Sequence, residues 1–315
     1  MKNFLSPPCL AILLTTALLT LSCDRSPDIP VETPLIVRED SLAGVEKARI
    51  AYENSAIKLA EGLKISLWAS DSLAPDPIAM DIDDSGKIFL TRSNRGKNSE
   101  FDIRGHRDWM TPSIALQTVE ERRAFLHATF SEEKSEENSW FPDLNNDSIH
   151  DWRDLAVEKE EVWMLEDRDG NGIADLSTRV LSDFHQEVTD VAGALLVRDD
   201  EMFVGVGPDM WRVSDRNKDQ VMDTKTSIAS GFAVHIGFSG HGMSGAIQGP
   251  DGKIYWGIGD IGASITTGGG EKHHYPNQGV IVRANPDGSD FEVFARGLRN
   301  THEFVFDAYG NIISS

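Results

Sequence analysis

Residues 241–262 decide the fold, and they read His-Gly-Met-Ser-Gly-Ala-Ile-Gln-Gly-Pro-Asp-Gly-Lys-Ile-Tyr-Trp-Gly-Ile-Gly-Asp-Ile-Gly. The stretch predicts two short strands joined by a Pro-Asp-Gly turn, because apolar runs flank residues that favour turns. His241 precedes the first strand and Asp260 ends the second, so antiparallel geometry places both at one edge of a sheet. The alternative is a surface hairpin with ordinary polar ends. Recurrence of the pattern along the chain favours a functional role.

The same hairpin pattern occurs in four places. The second strand of each hairpin begins at Lys87, Glu201, Lys253 or Asn311, after a short apolar strand and an acidic or glycine turn. Two outer strands follow in each of the first three units, at residues 161–166 and 177–181, 209–213 and 226–229, and 279–283 and 291–295. A repeated unit of roughly 40–50 residues built from four short strands is typical of a β-propeller blade.

The predicted fold is therefore all-β, of the six-bladed β-propeller type, with about three and a half blades present and one helical insertion. The fourth unit stops in its second strand, which predicts an incomplete propeller, since an open ring leaves an unpaired edge. The first interval between hairpins is about twice the others, and an insertion at about residues 93–160 explains it. Within the insertion, Thr118-Val-Glu-Glu is a capping box that predicts the start of a helix with a scaffold role.

The N-terminus predicts an export signal at residues 1–22, because a short apolar run follows Met-Lys-Asn and is too short to span a bilayer. The run ends at Ser-Cys and resembles a bacterial lipoprotein signal, in which Cys23 becomes lipidated; simple secretion is the alternative. Residues 23–60 are predicted as a flexible tether and linker, and residues 61–315 as the propeller domain. The expected location is the cell envelope, with a lipid anchor on the periplasmic or outer surface.

Composition excludes several classes of partner and chemistry. The chain has 51 Asp and Glu residues against 30 Lys and Arg, which disfavours nucleic acid and anionic lipid headgroups. Membrane contact is therefore expected only through the lipid anchor. Apart from Cys23 the sole cysteine is Cys9, inside the signal, so the mature chain has no disulfide and no cysteine-ligated metal. No Cys-x-x-Cys-His occurs, which excludes covalent haem in this chain.

Three acidic segments, beginning at Asp143, Asp167 and Asp215, share a spacing of carboxylate and amide oxygens. Hard oxygen ligands at alternate positions suit Ca²⁺, and only the second segment has glycine at the sixth position. A structural calcium site is predicted there, with ligands Asp167, Asp169, Asn171 and Asp175. The alternative is an ordinary turn, because Asp, Asn and Gly are good turn formers.

Register brings three candidate catalytic residues together. His241 precedes Lys253 by as many residues as Arg299 precedes Asn311, so His241 and Arg299 occupy equivalent positions in adjacent units. Asp260, at the end of the second strand, is expected at the same end of the sheet, where the loops of a propeller surround its central channel. A base, a carboxylate and a guanidinium at one channel suit proton abstraction beside an anionic cofactor or substrate. The alternative is a plain ion pair between Arg299 and Asp260.

These residues resemble a known family. His241, Gly-Pro-Asp-Gly-Lys-Ile-Tyr from Gly249, Gly259-Asp260 and Gly-Leu-Arg-Asn up to Asn300 are similar to the soluble quinoprotein glucose/sorbosone dehydrogenase superfamily of six-bladed propellers. From about Leu63 onward the chain resembles more closely the N-terminal propeller of the large membrane-bound dehydrogenases of planctomycetes and related bacteria. That likeness depends on three stretches, Trp-Phe-Pro-Asp-Leu-Asn at 140–145, Arg-Asp-Leu-Ala-Val-Glu-Lys-Glu at 153–160 and Pro-Asn-Gln-Gly at 276–279.

The resemblance implies oxidation of a sugar or alcohol with pyrroloquinoline quinone (PQQ). His241 would take the hydroxyl proton, Asp260 would orient it, and Arg299 and Asn300 would contact the quinone. It also implies a c-type cytochrome or another electron acceptor, in a missing C-terminal domain or a separate protein, and an inactive chain if the later blades are absent. The rival functions are a non-catalytic propeller that binds a glycan or protein partner at the same mouth, and a lactonase-like metal hydrolase. The hydrolase would need acidic ligands on the innermost strands, and the sequence shows none.

Overall fold

The structure is a computed structural model that describes residues 26–40, 42–198 and 200–315. The predicted signal at residues 1–22 and the predicted lipidation site Cys23 lie outside the described residues. Within the described ranges, no helix combines the length and the apolar character needed to cross a membrane.

The described part of the chain is mostly strand. In chain order the strands are β1 (Ile29–Pro30), β2 (Val37–Glu39), β3 (Pro77–Ile82), β4 (Ile88–Ser93), β5 (Glu160–Glu166), β6 (Leu176–Asp183), β7 (Ala192–Arg198), β8 (Glu201–Val206), β9 (Asp209–Ser214), β10 (Thr224–Ser230), β11 (Met243–Gln248), β12 (Ile254–Ile258), β13 (Ala263–Thr266), β14 (Lys272–Tyr275), β15 (Gly279–Ala284), β16 (Glu292–Leu298), β17 (Phe304–Phe306) and β18 (Ile312–Ser314). The α-helices are α1 (Leu42–Glu53), α2 (Met110–Ala115) and α3 (Val119–Thr129).

All strand pairs are antiparallel, and the main sheets follow chain order. The first sheet contains β3, β4, β5 and β6, the second contains β7 to β10, and the third contains β11, β12, β15 and β16. The remaining strands form two hairpins, β13–β14 and β17–β18, and two short edge strands. None of the described sheets closes on itself. The all-β prediction is confirmed, and the predicted hairpins and outer strands occur where the sequence pattern placed them.

Apolar cores separate neighbouring sheets. Leu195 of β7 belongs to the core shared with the first sheet, and Ala194 belongs to the core shared with the third, since successive strand side chains point to opposite faces. Beyond the third sheet, Phe304 of β17 packs with Tyr255 and Ile281. The sheets and the last hairpin are therefore stacked in chain order.

β5 shows why the strand sequences read as continuous apolar runs. Val162 and Met164 face the core shared with the second sheet, whereas Trp163 and Leu165 pack with Leu73 from the loop before β3. Both faces of the strand are buried, so apolar residues do not alternate with polar ones.

Two short strands from the predicted tether lie on the outer edges of the sheets. Ile29 of β1 pairs with Lys225 of β10, and Val37 of β2 pairs with Thr178 of β6. This corrects the prediction of a flexible tether for these residues, because their backbone groups complete edges that would otherwise be unpaired. The proline-rich composition did not indicate this pairing.

The insertion lies between β4 and β5, at residues 94–159, within one residue of the predicted bounds. Thr118 caps α3 as predicted, since its Oγ1 accepts the Glu121 N–H at 3.1 Å. α2 is an additional helix. The insertion buries Trp109 and Leu126 against Ile236, which belongs to the loop before β11. It therefore covers the edge of the sheets at which β11 begins.

Candidate active site

His241 and Asp260 meet at the edge of the third sheet. His241 precedes β11 and Asp260 follows β12, and these strands pair antiparallel. His241 Nδ1 lies 2.6 Å from Asp260 Oδ1. The His241 side chain is buried, whereas 34% of the Asp260 side chain is accessible. The structure thus brings together the two residues that the hairpin spacing placed at one edge.

Backbone contacts hold the two side chains in place. The Gly259 N–H donates to the His241 carbonyl at 3.0 Å, and the Asp260 N–H donates to the Arg299 carbonyl at 2.7 Å. A Cβ on Gly259 would lie only 2.6 Å from the His241 carbonyl oxygen, so only glycine fits there without movement. Three chain segments therefore converge at Gly259.

The contact with Asp260 determines what the imidazole can do. When His241 is neutral, Nδ1 must carry the proton that it donates to the carboxylate, and Nε2 then has a free lone pair. Nε2 has no hydrogen-bond partner among the described residues. The carboxylate would also stabilise the imidazolium that forms when Nε2 accepts a proton. The pair is therefore arranged as a general base with an orienting carboxylate.

Arg299 lies beside this pair but is not bound to Asp260 through its side chain. In the described structure its guanidinium forms no ion pair with Asp260, so the predicted alternative of an Arg299–Asp260 ion pair is wrong. Arg299 is exposed, and its Cζ lies 5.9 Å from the ring centroid of Phe238. Asn300 donates from Nδ2 toward His302 Nε2 at 3.0 Å, while its Oδ1 is buried and has no donor.

Phe238 was missed by the sequence analysis, and it links the candidate residues. Its ring centroid lies 5.3 Å from that of His241, and 38% of the residue is exposed. The guanidinium of Arg104, a residue of the insertion, also lies near this ring, with its Cζ 5.4 Å from the Phe238 centroid. A partly exposed aromatic ring therefore lies close to two guanidinium groups and to the histidine. A Gly-Phe-Ser-Gly-His run at 237–241 was the only local signal.

Asp102 connects the insertion to the same loop. Its Oδ2 accepts the Ser239 N–H at 3.1 Å and the Ser239 hydroxyl at 2.7 Å. The Arg104 guanidinium, aided by these two donors, holds the pKa of the Asp102 carboxyl well below its usual range. Asp102 therefore stays ionised and ties residues 237–241 to the insertion.

The acidic loop at residues 167–175 lies at the far end of β5 from the insertion. Carboxylate oxygens of Asp167, Asp169 and Asp175 lie within 4.8 Å of one another, the one such group of three in the described ranges. Backbone N–H groups of Gly170 and Gly172 donate to Asp167 at 2.8 Å, which lowers the pKa of that carboxyl. A strand of seven residues spans about 23 Å, so this candidate metal centre is remote from His241.

Comparison with known proteins places the chain in a family. No curated protein matches it, and no solved structure matches it either. The family described as Domain of unknown function (DUF7133) matches residues 51–315. Because the match covers most of the chain, this protein belongs to the DUF7133 family.

Proposed function

We propose that this protein is a PQQ-dependent sugar or alcohol dehydrogenase, with His241 as its general base. The observation that carries the proposal is the 2.6 Å contact between His241 Nδ1 and Asp260 Oδ1. It leaves the Nε2 lone pair free beside an exposed arginine and a partly exposed aromatic ring. This combination suits removal of a hydroxyl proton next to an anionic, planar group.

The proposed architecture is a β-propeller of the six-bladed type. In support, three antiparallel sheets follow chain order and pack face to face through successive apolar cores, each with four main strands and two of them with a short edge strand added. The hairpin β17–β18 begins a fourth unit against the third sheet. In such a ring the loops before each innermost strand surround a central channel. His241 and Arg299 lie in two successive loops of this kind.

The residues at this edge fit the proposed cofactor. PQQ carries carboxylates, and Arg299 offers a guanidinium that no described carboxylate engages. Asn300 adds a buried Oδ1 with no donor, an acceptor that a bound ligand would satisfy. Arg299 and Asn300 would hold the quinone, which supplies a hydride acceptor when bound.

The chain's own residues would supply the proton chemistry. His241 Nε2 accepts the substrate hydroxyl proton, while Asp260 holds the ring in the required tautomer and balances the positive charge of the imidazolium. The His241 side chain is buried, and this low exposure to water strengthens its electrostatic interaction with Asp260.

The remaining parts of the proposal concern location and partners. The electrons would pass to a c-type cytochrome or another acceptor, Ca²⁺ would occupy the loop at residues 167–175, and Cys23 would anchor the protein in the cell envelope. The carboxylate cluster at Asp167, Asp169 and Asp175 supports the calcium assignment.

The test uses the protein produced from its own gene, reconstituted with PQQ and Ca²⁺ and assayed with an artificial electron acceptor. His241→Gln should lower turnover by about 10²- to 10⁴-fold, the usual contribution of a general base. Quinone binding should be retained, because Arg299 and Asn300 are unchanged. His185→Gln, in a half-exposed histidine between the first and second sheets, is the matched control and should keep full turnover.

Two results would refute the proposal. Absence of quinone binding would favour the alternative of a non-catalytic propeller that binds a glycan or protein at the same edge. Unchanged turnover in His241→Gln would show that the histidine is not the base.

A further inference from the structure

A small polar cavity is lined by Gly242, the neighbour of His241 in the chain. Its volume is about 30 Å³, and its walls come from the insertion and from the loops that precede β7 and β11. A water molecule needs at least about 10–15 Å³, so the cavity has room for one or two waters and not for an organic ligand. Glu100, Arg122, Asp190 and His235 line it together with Gly242. Gly242 is the residue that follows His241.

Asp190 has an oxygen that needs a donor. The residue is 5% exposed, and its Oδ1 accepts the Val191 N–H at 2.9 Å. Its Oδ2 has no donor among the described residues. Gly242 packs against this oxygen so closely that a Cβ there would lie 2.6 Å from it. Leaving a buried acceptor unsatisfied is costly, so a donor is expected at Asp190 Oδ2.

Glu100 of the insertion faces Asp190. Both side chains line the small cavity, and two carboxyl groups can hydrogen-bond each other only when one carries a proton. Burial raises the pKa of Glu100 well above its ordinary range, and the negative charge of Asp190 raises it further. Arg122 and Arg95 act in the opposite direction but do not cancel this shift.

The two guanidinium groups near the pair direct their terminal N–H groups to backbone carbonyls, and neither Nε has an acceptor among the described residues. Arg122 donates to the carbonyls of Val188 and Ala233 at 2.6 Å each. Arg95 donates to the Leu155 carbonyl at 2.8 Å. These cations supply positive charge, but neither donates to Asp190 Oδ2.

The other titratable groups that line the cavity, Glu187 and His235, have hydrogen-bond partners outside the Glu100–Asp190 pair. Glu187 accepts hydrogen bonds from Arg123 and His127 of α3. His235 Nδ1 lies 2.5 Å from the Ser113 carbonyl, so Nδ1 carries the proton of a neutral ring and Nε2 has only a lone pair. No described side chain donates to Asp190 Oδ2, and a proton on Glu100, which lines the same cavity, would supply a donor.

We propose that Glu100 carries a proton at neutral pH and donates it to Asp190 Oδ2, and that both are positioning residues for His241. The protonated pair has a single negative charge, and Asp190 can remain packed against Gly242. Loss of the proton would place two like charges side by side in the cavity, and their repulsion would displace Gly242 and with it His241. A role of the Glu100–Asp190 pair in catalysis rests on the proposed function, whereas its effect on the position of His241 does not.

The direction of the pH effect follows from the raised pKa of Glu100. The proton is kept through neutral pH and is lost only as the pH rises through the raised value. The arrangement of His241 should therefore change on the alkaline side of neutrality.

The experiment follows the His241 ring directly by NMR. The protein is labelled with ¹³C at histidine Cε1, and the His241 signal is assigned by its loss in His241→Gln. In the wild type, the His241 signal should show an inflection at alkaline pH. Glu100→Gln keeps a donor to Asp190 but cannot ionise, so it should lose this inflection.

Glu187→Gln is the matched control, since it removes a carboxylate from the same cavity wall but not from the pair, and it should keep the alkaline inflection. Asp190→Asn should lose the alkaline inflection and gives a second route if Glu100→Gln does not fold. An alkaline inflection that is missing in the wild type, or that persists in both variants, overturns the proposal. The readout needs neither quinone nor substrate, so failure of the proposed dehydrogenase activity would be seen separately.

Discussion

Replacing Glu160 by Gln tests a carboxyl group that lies fully buried between the first and second sheets. Glu160 is the first residue of β5 and has 0% exposure. Its Oε1 accepts the Ser93 hydroxyl at 2.7 Å, and its Oε2 accepts the Ala192 N–H of β7 at 2.7 Å. Burial raises the pKa of Glu160 to about 7, although these hydrogen bonds and Arg95 favour the ionised form.

The size and sign of the effect follow from this pKa. Between its ordinary value of 4.5 and about 7, the native carboxyl keeps a proton that the unfolded chain has already released. The free energy of unfolding therefore falls as pH rises through this window and becomes level above it. The two pKa values correspond to a loss of about 3 kcal/mol. Stability from this group is complete below pH 4.5, where both states are protonated.

Glutamine reproduces the protonated carboxyl, because its amide can donate to Ser93 Oγ and accept from Ala192 N–H. Urea unfolding followed by tryptophan fluorescence on both sides of the window gives the free energies. The wild type should lose about 3 kcal/mol more than Glu160→Gln as the pH rises. Glu166→Gln, at the other end of β5, where the carboxylate pairs with Lys87, is the control and should keep the wild-type pH dependence. Equal pH dependence in wild type and Glu160→Gln would refute the reasoning.

Two further predictions concern the metal loop and the turn at the candidate base. Calcium at a hundredfold excess over its Kd should stabilise the protein by about 2.7 kcal/mol. A chelator should therefore lower the Tm of the wild type and not that of Asp169→Ala. If the wild type melts at the same temperature with and without chelator, the loop is an ordinary turn. Gly259→Ala should shift the NMR signal of the His241 ring, because its Cβ would lie 2.6 Å from the His241 carbonyl. Gly268→Ala, where a Cβ meets nothing within 4 Å, should leave that signal unchanged, and an unchanged signal in Gly259→Ala as well would contradict the proposed close packing.

The strands and the His241–Asp260 contact could be predicted because they depend on local pattern. Apolar runs and turn residues determined each hairpin, and antiparallel pairing of β11 with β12 then brought two distant side chains to one edge. Arg299 was placed correctly near this edge by register. The alternative of an ion pair between Arg299 and Asp260 was wrong, because the backbone carbonyl of Arg299 contacts Asp260 while the Arg299 side chain lies near Phe238.

What the sequence could not show involves contacts between remote segments. Asp102 binds Ser239, and Glu100 faces Asp190, across separations that no local pattern reveals. The edge strands β1 and β2 are a similar case, since a proline-rich stretch carries no periodicity and pairs only because a sheet edge is available. Tertiary context determined both features.

A scaffold role was predicted for the helix of the insertion, and the contacts of the whole insertion show which loop it holds. Its residues bind the loop at 235–241 at successive points: the Ser113 hydroxyl donates to the Ile236 carbonyl at 2.9 Å, the Ile103 N–H donates to the Gly237 carbonyl at 2.9 Å, and Asp102 accepts from Ser239. A loop held at each of these points has little freedom to move its last residue, His241. The same insertion contributes Glu100 to the cavity that Gly242 also lines. The proposed base would need its ring fixed before the proton moves, and in this chain an insertion within the first sheet restrains the loop that carries His241 of the third sheet.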